Sequence, residues 1–446
     1  MHLVKFVFKG LFKSKSLFKS QEIARYMKNS AWMLTEYILK IFSAIFVGIY
    51  VARYLGPEQF GILSYALAIS SIMMAVGRLG MESVLVRDLA QHPYNRLAYM
   101  GTAFRLMLTV AIVGMLVMGA LVIFWETDYN SRICILIISL GALFQAFSVI
   151  DYNFQSQVRA KYSTLAKSLA LSLTSIVKLV MVWSGAELVH FAVVYALDYA
   201  AIGFFLVVFN FKKEGMRFIG RFETVLLKPL LKSAWPMVLS AVSAILYMRV
   251  DQLMIKNMLG LHELGLYAAA VKIYEGWVVV PYVISISLLP AIVKIKSRSI
   301  SEYEKNMAML FSLMFWSGAC IALIATFLGD QLILLSFGSE YLGSGGVLAI
   351  VMWAAAFASL GSITARYLTV EGMERKIAIR TFLGLAINIA LNILLIPLYG
   401  IKGAAIATLV TMFFSNFAIN YTDRSLTQLV RICNSSLTLR WLAYEK

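Results

Sequence analysis

Ten charged residues interrupt long apolar stretches of this 446-residue chain, and they are its strongest candidates for chemistry. A charge near the middle of a bilayer is costly and usually faces protein or water, so each one indicates a functional site. Eight of the ten fall in the first two apolar stretches of either half of the chain. The ten are Glu36, Lys40, Arg78, Glu82, Lys178, Asp198, Arg249, Asp251, Lys272 and Glu275.

Local spacing gives these charges two interpretations. Glu36 and Lys40 are four residues apart, as are Arg78 and Glu82, while Lys272 and Glu275 are three apart. Such spacings place both groups on one helical face, so each pair could simply neutralise itself. The alternative is that the charges line a polar site, and the spacing alone does not decide between the two.

Arg249 and Lys178 differ because neither has a local counter-charge on its own face. Asp251 is two residues from Arg249 and points to nearly the opposite side, while Asp198 on the next helix could pair with Lys178. A guanidinium binds two phosphate oxygens at once, so Arg249 and Lys178 are the leading candidates for an anion. The predicted substrate-binding set is Arg249, Lys178, Lys40, Arg78 and Lys272, and the candidates for ion coupling are Glu36, Asp198, Asp251 and Glu275.

The overall composition indicates whether these residues lie in water or in a membrane. Hydrophobic residues make up 61% of the chain and charged residues 14%, against roughly half and a quarter in soluble domains. This excludes an ordinary soluble enzyme, a disordered chain and a disulfide-stapled domain, and it predicts an all-α polytopic membrane protein. Three scattered cysteines and four scattered histidines provide no metal cluster, so we expect no metal and no cofactor.

Apolar stretches long enough to cross a bilayer, about 20 residues each, number twelve. They are continuous rather than alternating, which excludes a β-barrel. The predicted spans are 30–55, 58–84, 100–124, 132–151, 165–184, 187–210, 230–257, 262–291, 307–328, 345–366, 377–398 and 401–421.

Loop charges orient these spans. With the N-terminus inside, 30 of the 40 Lys and Arg residues lie on the inner side and 4 in the outer loops. Positive loops stay cytoplasmic, so both termini are predicted to be cytoplasmic. The net charge of +17 is then an insertion signal and a contact for membrane lipid headgroups, and it does not indicate nucleic-acid binding.

An internal repeat divides the chain into two lobes. Ser30-Ala31-Trp32 recurs as Ser233-Ala234-Trp235, and Leu55-Gly56 with Gly61 recurs as Leu259-Gly260 with Gly265. Six spans per half, an even number, give both halves the same orientation, as in transporters whose lobes rock about a central substrate. The predicted units are a basic amphipathic tail 1–29, an N-lobe 30–210, a cytoplasmic linker 211–229, a C-lobe 230–421 and a cytoplasmic tail 422–446.

Membrane enzymes of lipid-linked sugars are a further class to consider. They need an outer domain or long loop to carry acids, bases or metal ligands. The longest predicted outer loop, 329–344, offers only Asp330 and Glu340, and the sequence has no P-loop. We therefore expect a protein that is not an enzyme.

Several motifs at particular spacings resemble the O-antigen type polysaccharide flippases (Wzx) of the multidrug/oligosaccharidyl-lipid/polysaccharide superfamily. The resemblance extends over about residues 28–421. The motifs are Ala52-Arg53-Tyr54-Leu55-Gly56-Pro57-Glu58-Gln59-Phe60-Gly61, Gly77-Arg78-Leu79-Gly80, Arg87-Asp88-Leu89-Ala90, Leu259-Gly260 through Gly265-Leu266-Tyr267, and Pro397-x-x-Gly400-x-x-Gly403-Ala404-Ala405.

This resemblance implies a fold like that of the multidrug (MATE) extruders, with two six-helix lobes around a cavity. It implies that the protein flips an undecaprenyl-diphosphate-linked oligosaccharide across the bacterial inner membrane by alternating access. Whether polysaccharide polymerase or assembly proteins bind is left open. A multidrug or small-metabolite antiporter on the same fold is the alternative, since fold does not fix function.

Overall fold

The computed structural model describes residues 21–215 and 220–438, and these form helices joined by short turns, with no strand among them. Most of the predicted amphipathic tail lies outside the described residues, as do residues 216–219 of the linker and residues 439–446 of the C-terminal tail. Predictions that concern those segments therefore stay predictions.

The first half contains eight helices within the described range. Its fourth predicted span is built from three short helices joined end to end. The helices are α1 Gln21–Gly77, α2 Met81–Gln91, α3 Arg96–Trp125, α4 Tyr129–Ser139, α5 Gly141–Phe144, α6 Ser148–Ser156, α7 Ala160–Trp183 and α8 Leu188–Glu214.

The second half again consists of long helices, followed by a short amphipathic one. A π-helical turn, Phe414–Ala418, widens the last span. The helices are α9 Thr224–Leu259, α10 Leu261–Lys296, α11 Ile300–Ser336, α12 Gly345–Val370, α13 Glu374–Tyr399, α14 Ile401–Phe413, α15 Ile419–Thr422 and α16 Thr427–Leu437.

The span count agrees with the sequence. Eleven stretches of the described chain are long and apolar enough to cross a membrane. The first, Thr35–Gln91, is broken at Gly56 and so holds the first two predicted spans. The all-α prediction with twelve crossings is confirmed.

The two turns of the repeat share one unusual backbone conformation. Gly56 has φ 72° and ψ 169°, and Gly260 has φ 99° and ψ −179°. A residue with a Cβ is strained in this region, whereas glycine adopts it freely. The matching Leu-Gly pairs therefore produce matching helix reversals in the two halves.

The helices that follow these turns cross each other reciprocally. A Cβ on Gly61 would lie 1.9 Å from the carbonyl oxygen of Leu261, and a Cβ on Gly265 would lie 1.8 Å from that of Pro57. Pro57 and Leu261 hold the same place in the two turns, as do Gly61 and Gly265. The crossing is therefore two-fold symmetric, and only glycine permits so close an approach.

The turns of the bundle collect at two ends. At the Gly56 end, Tyr54 donates to the carbonyl oxygen of Ala186 at 3.1 Å, and Tyr341 donates to that of Ala52 at 2.6 Å. At the opposite end, here called the Glu214 end, Asn153 donates to the Glu214 carboxylate at 2.8 Å. Successive helices alternate between these ends, as an antiparallel bundle requires.

The hydrophobic core joins the halves at one end and divides at the other. At the Gly56 end, one core contains buried residues of both halves, such as Leu63 and Tyr267. At the Glu214 end there are two cores, one around Phe154 and one around Phe311. Helix α9 bridges this end, because its first turns pack on the first-half core.

Candidate functional site

Lys167 is the centre of a charge cluster in the first half. Its Nζ lies 3.2 Å from Glu36 Oε1 and 2.8 Å from Asp151 Oδ2. Asp151 is buried and also accepts hydrogen bonds from Ser163 and Gln155. Sequence reasoning missed this cluster because it assigned Lys167 to the inner positive charge and Asp151 to a span end.

Lys178 and Asp198 pair across neighbouring helices, as the sequence suggested. Lys178 Nζ lies 2.7 Å from Asp198 Oδ2 and 3.9 Å from the centre of the Tyr195 ring. Lys178 is only 5% exposed. Its charge is thus already compensated by a carboxylate in a buried position. Binding a substrate anion would therefore first require this ion pair to break.

Arg249 has a counter-charge, contrary to the expectation from its sequence neighbours. Its Nη1 lies 2.8 Å from Glu275 Oε1 on the next helix, α10. Asp251 points elsewhere and accepts hydrogen bonds from the Tyr267 hydroxyl and from the Gln252 amide. Arg249 as an anion ligand therefore stays a prediction, and it too would require an ion pair to open.

None of the three locally spaced pairs exists as an ion pair in the described chain. Glu36 pairs with Lys167 instead of Lys40, and Glu275 pairs with Arg249 instead of Lys272. A pair along one exposed helix face contributes only a few tenths of a kcal/mol. Contacts between helices are more buried and less screened, so they prevail, and Lys40 and Lys272 interact with Glu36 and Glu275 only at longer range, without an ion-pair contact.

Three basic side chains of the predicted set have no carboxylate within ion-pair distance among the described residues. They are Lys40, Arg78 and Lys272. Lys40 and Arg78 lie close enough to interact electrostatically. Lys272 lies against Gly48 of α1, with its Nζ 5.6 Å from the centre of the Phe60 ring. These three side chains are here called the free cation set.

A cavity of about 520 Å³ opens beside α2, lined mainly by first-half residues and on one side by α9 of the second half. Its walls include Glu82 and Arg87 from α2, Gln155 from α6 and Met237 from α9. On another side of the space between the halves, the rings of Tyr37 and Tyr282 meet edge to face at 6.3 Å. The charged and polar side chains of the cavity, Glu82, Ser83, Arg87 and Gln155, suit a hydrated headgroup better than an apolar ligand.

The Gly56 end carries an ion pair that connects the halves. Lys256 Nζ lies 2.7 Å from Glu126 Oε2 and 4.7 Å from the centre of the Tyr65 ring. Burial opposes ionisation of Glu126, but hydrogen bonds from Lys256, the Asp128 amide and Tyr65 outweigh it and hold the pKa of this carboxyl below its usual range. Sequence reasoning missed Glu126, although an acid directly after a long apolar run was the available signal.

Solved structures of similar shape define the fold. An inward-facing multidrug resistance MATE family transporter of the MOP superfamily has 15% identity, a TM-score of 0.71, and coverage of 90% of this chain and 94% of its own. The lipid II flippase MurJ, in an inward closed conformation, has 14% identity, a TM-score of 0.71, and coverage of 93% and 92%. The protein is thus a multi-pass membrane protein with the two-lobed architecture of these proteins.

Sequence comparison supplies the family. The polysaccharide biosynthesis protein family matches residues 26–296, and the chain belongs to this family. The capsular polysaccharide biosynthesis protein CapF of Staphylococcus aureus is 21% identical over 89% of this chain and 98% of its own length. A putative O-antigen transporter of Shigella flexneri is 22% identical over 85% and 93%.

Proposed function

We propose that this protein is a flippase that moves an undecaprenyl-diphosphate-linked oligosaccharide across a bacterial inner membrane by alternating access. The observation that carries the proposal is the free cation set, in a protein whose halves share one hydrophobic core at a single end. The relatives named as a capsular polysaccharide biosynthesis protein and an O-antigen transporter support a lipid-linked sugar substrate.

The chemistry of the substrate fits the arrangement. A diphosphate spreads its negative charge over several oxygens, and a guanidinium beside an ammonium group can bind these oxygens without first breaking an ion pair. Arg78 supplies the fork, and Lys40, which lies within electrostatic reach of Arg78, supplies a point charge. Lys272 lies further along the path, beside Gly48 and Phe60. The sugar occupies the polar cavity lined by Glu82 and Arg87, and the lipid tail stays in the bilayer.

The unequal ends of the bundle support alternating access. In the proposed orientation, with both termini cytoplasmic, the Glu214 end faces the cytoplasm and admits the headgroup. The common core at the Gly56 end then parts while the two cores at the other end approach. Lys178–Asp198 and Arg249–Glu275 can exchange partners during this change, which keeps Glu36, Asp198, Asp251 and Glu275 as the candidates for proton or sodium coupling.

The test is to delete the gene in the source organism and measure its lipid-linked intermediates. Complementation with the wild type should prevent complete repeat units from accumulating, whereas Arg78→Gln should reduce the flux by about 10- to 150-fold, as expected for the loss of one charge-assisted contact of about 1.5–3 kcal/mol. Lys402→Gln, an exposed charge at the Gly56 end, is the matched control. Unchanged intermediates with increased drug sensitivity would reject the flippase and favour an antiporter.

A further inference from the structure

A second cavity lies wholly inside the second half, apart from the space between the halves. Its volume is about 150 Å³, it is partly open, and its lining residues come from α9, α12, α13 and the π-helical turn. The polar side chains on its walls are Tyr247, Thr364, Arg380, Thr381, Ser415 and Asn416, and no Asp or Glu is among the lining residues.

Arg380 provides an unused donor to this cavity. The residue is 8% exposed, and its Nη2 donates to Asn420 Oδ1 at 2.7 Å. Its Nη1 is buried and has no hydrogen-bond partner in the described part of the chain. Because a guanidinium keeps its charge and loses solvation on burial, an unpaired nitrogen of this kind indicates a missing anionic partner.

Thr364 is a second residue of the same walls with an unpaired polar group. It is 2% exposed, and its hydroxyl also has no partner within the described residues. Asp423, the acid that interacts with Arg380 at longer range, is held by Lys376 at 2.5 Å. The structure therefore leaves both groups free for a ligand.

The π-helical turn shapes the wall opposite Arg380. It places Ser415 and Asn416 on the cavity, and the Tyr247 hydroxyl lies 3.2 Å from Ser415 Oγ. Asn416 packs so closely on Gly361 that a Cβ there would meet its Oδ1 at 2.2 Å. Single π turns within helices occur frequently at functional sites, where they redirect side chains.

We propose that this cavity is an oxoanion site, in which the Arg380 guanidinium and the Thr364 hydroxyl bind a phosphoryl or carboxylate group. One water needs roughly 10–15 Å³ of such space, so the cavity has room for an oxoanion and a few waters. The ligand is either a free anion or the headgroup of an acidic membrane lipid. This site is separate from the free cation set and does not depend on the proposed flippase activity.

The experiment is a phosphate titration of the full-length protein in uncharged detergent, followed by its thermal unfolding temperature. We expect phosphate to raise the unfolding temperature in a saturable manner. The phosphate concentration at half-saturation should rise at least tenfold in Arg380→Gln and stay unchanged in Arg375→Gln, which alters an exposed arginine on the same helix. If Arg78→Gln binds phosphate as tightly as the wild type, the binding is assigned to this cavity and not to the free cation set. If Arg380→Gln does not fold, Thr364→Val should weaken binding about threefold.

A second arm separates the two sources of the anion. The same variants are placed in nanodiscs of phosphatidylglycerol or of phosphatidylcholine. Stabilisation by phosphatidylglycerol that depends on Arg380, without an effect of inorganic phosphate, assigns the site to a lipid headgroup. No saturable effect in either arm, or an equal effect in Arg380→Gln, would overturn the proposal.

Discussion

The two ends of the bundle are built differently. At the Gly56 end the strongest contacts connect the halves, since Lys256 pairs with Glu126 and Tyr341 donates to the carbonyl of Ala52. At the Glu214 end the ion pairs stay within one half, as between Lys296 and Glu371 at 2.8 Å. A change of access therefore has to break ion pairs and hydrogen bonds between the halves at the Gly56 end, whereas at the Glu214 end it has to shift the apolar packing of α9 on the first-half core.

The chemistry of the ends differs as well. The sealed end relies on glycine packing and an apolar core, which hold only in close contact. The interior towards the other end contains Lys40 and Arg78 of the free cation set, which have no ion-pair partner among the described residues. This difference makes binding and sealing separable, so variants at one end should leave the other function largely intact.

Among the variants considered, loss of the ion pair between Lys256 and Glu126 should have the largest effect on the stability of the Gly56 end. Lys256→Met leaves Glu126 buried without its partner, which destabilises the closed Gly56 end by about 3–5 kcal/mol. Unfolding of the purified variant in detergent, with cysteine cross-linking across that end, measures this. The double variant Lys256→Met with Glu126→Gln should recover part of the loss, and failure to do so would argue against a shared role.

The second-largest effect on stability is expected from the glycine packing where α1 and α10 cross. Gly265→Ala places a Cβ against the Pro57 carbonyl and should lower the free energy of unfolding by about 1–3 kcal/mol. Gly119→Ala is the matched control, because its Cβ would have no neighbour closer than 3.9 Å. Equal melting temperatures for the two variants would contradict the close crossing.

Acid should weaken the seal in a defined direction. The pKa of Glu126 is lowered in the folded state, so its pairing contributes fully above the ordinary value of about 4.3 and is lost as the pH falls through the lowered value. Cross-linking at the Gly56 end should therefore decline below about pH 4. The double variant at Lys256 and Glu126 should show no such decline.

The smallest effect is expected at the Glu214 end, within one half. Hydrogen bonds from Lys376 and Ser425 lower the pKa of Asp423 to about 2. The side chains of Lys376 and Asp423 are 27% and 36% exposed, so solvent screening keeps the expected cost of Asp423→Asn near about 1 kcal/mol, and the loss should vanish as the pH falls from about 4 towards 2. Thermal unfolding of the wild type and the variant across this pH range measures the difference. A loss of stability as large as that of Lys256→Met would contradict the proposed difference between the two ends.

Sequence predicted the fold more fully than the site. Continuous apolar runs set the spans, and the Leu-Gly pairs at Gly56 and Gly260 marked the repeat, because both features act locally. The pairing of Arg249 with Glu275 depends on how neighbouring helices rotate, and local spacing does not encode this. Arg380 was counted only as a loop charge for the same reason.

The most direct measurement of the central claim is thiol accessibility at position 78. Arg78→Cys is made with the exposed Cys320 replaced by serine, and oriented membrane vesicles are treated with a membrane-impermeant maleimide. The account predicts labelling from the cytoplasmic side alone, because the chamber opens at the Glu214 end and is sealed at the Gly56 end. Labelling from the periplasmic side without cytoplasmic labelling would contradict it.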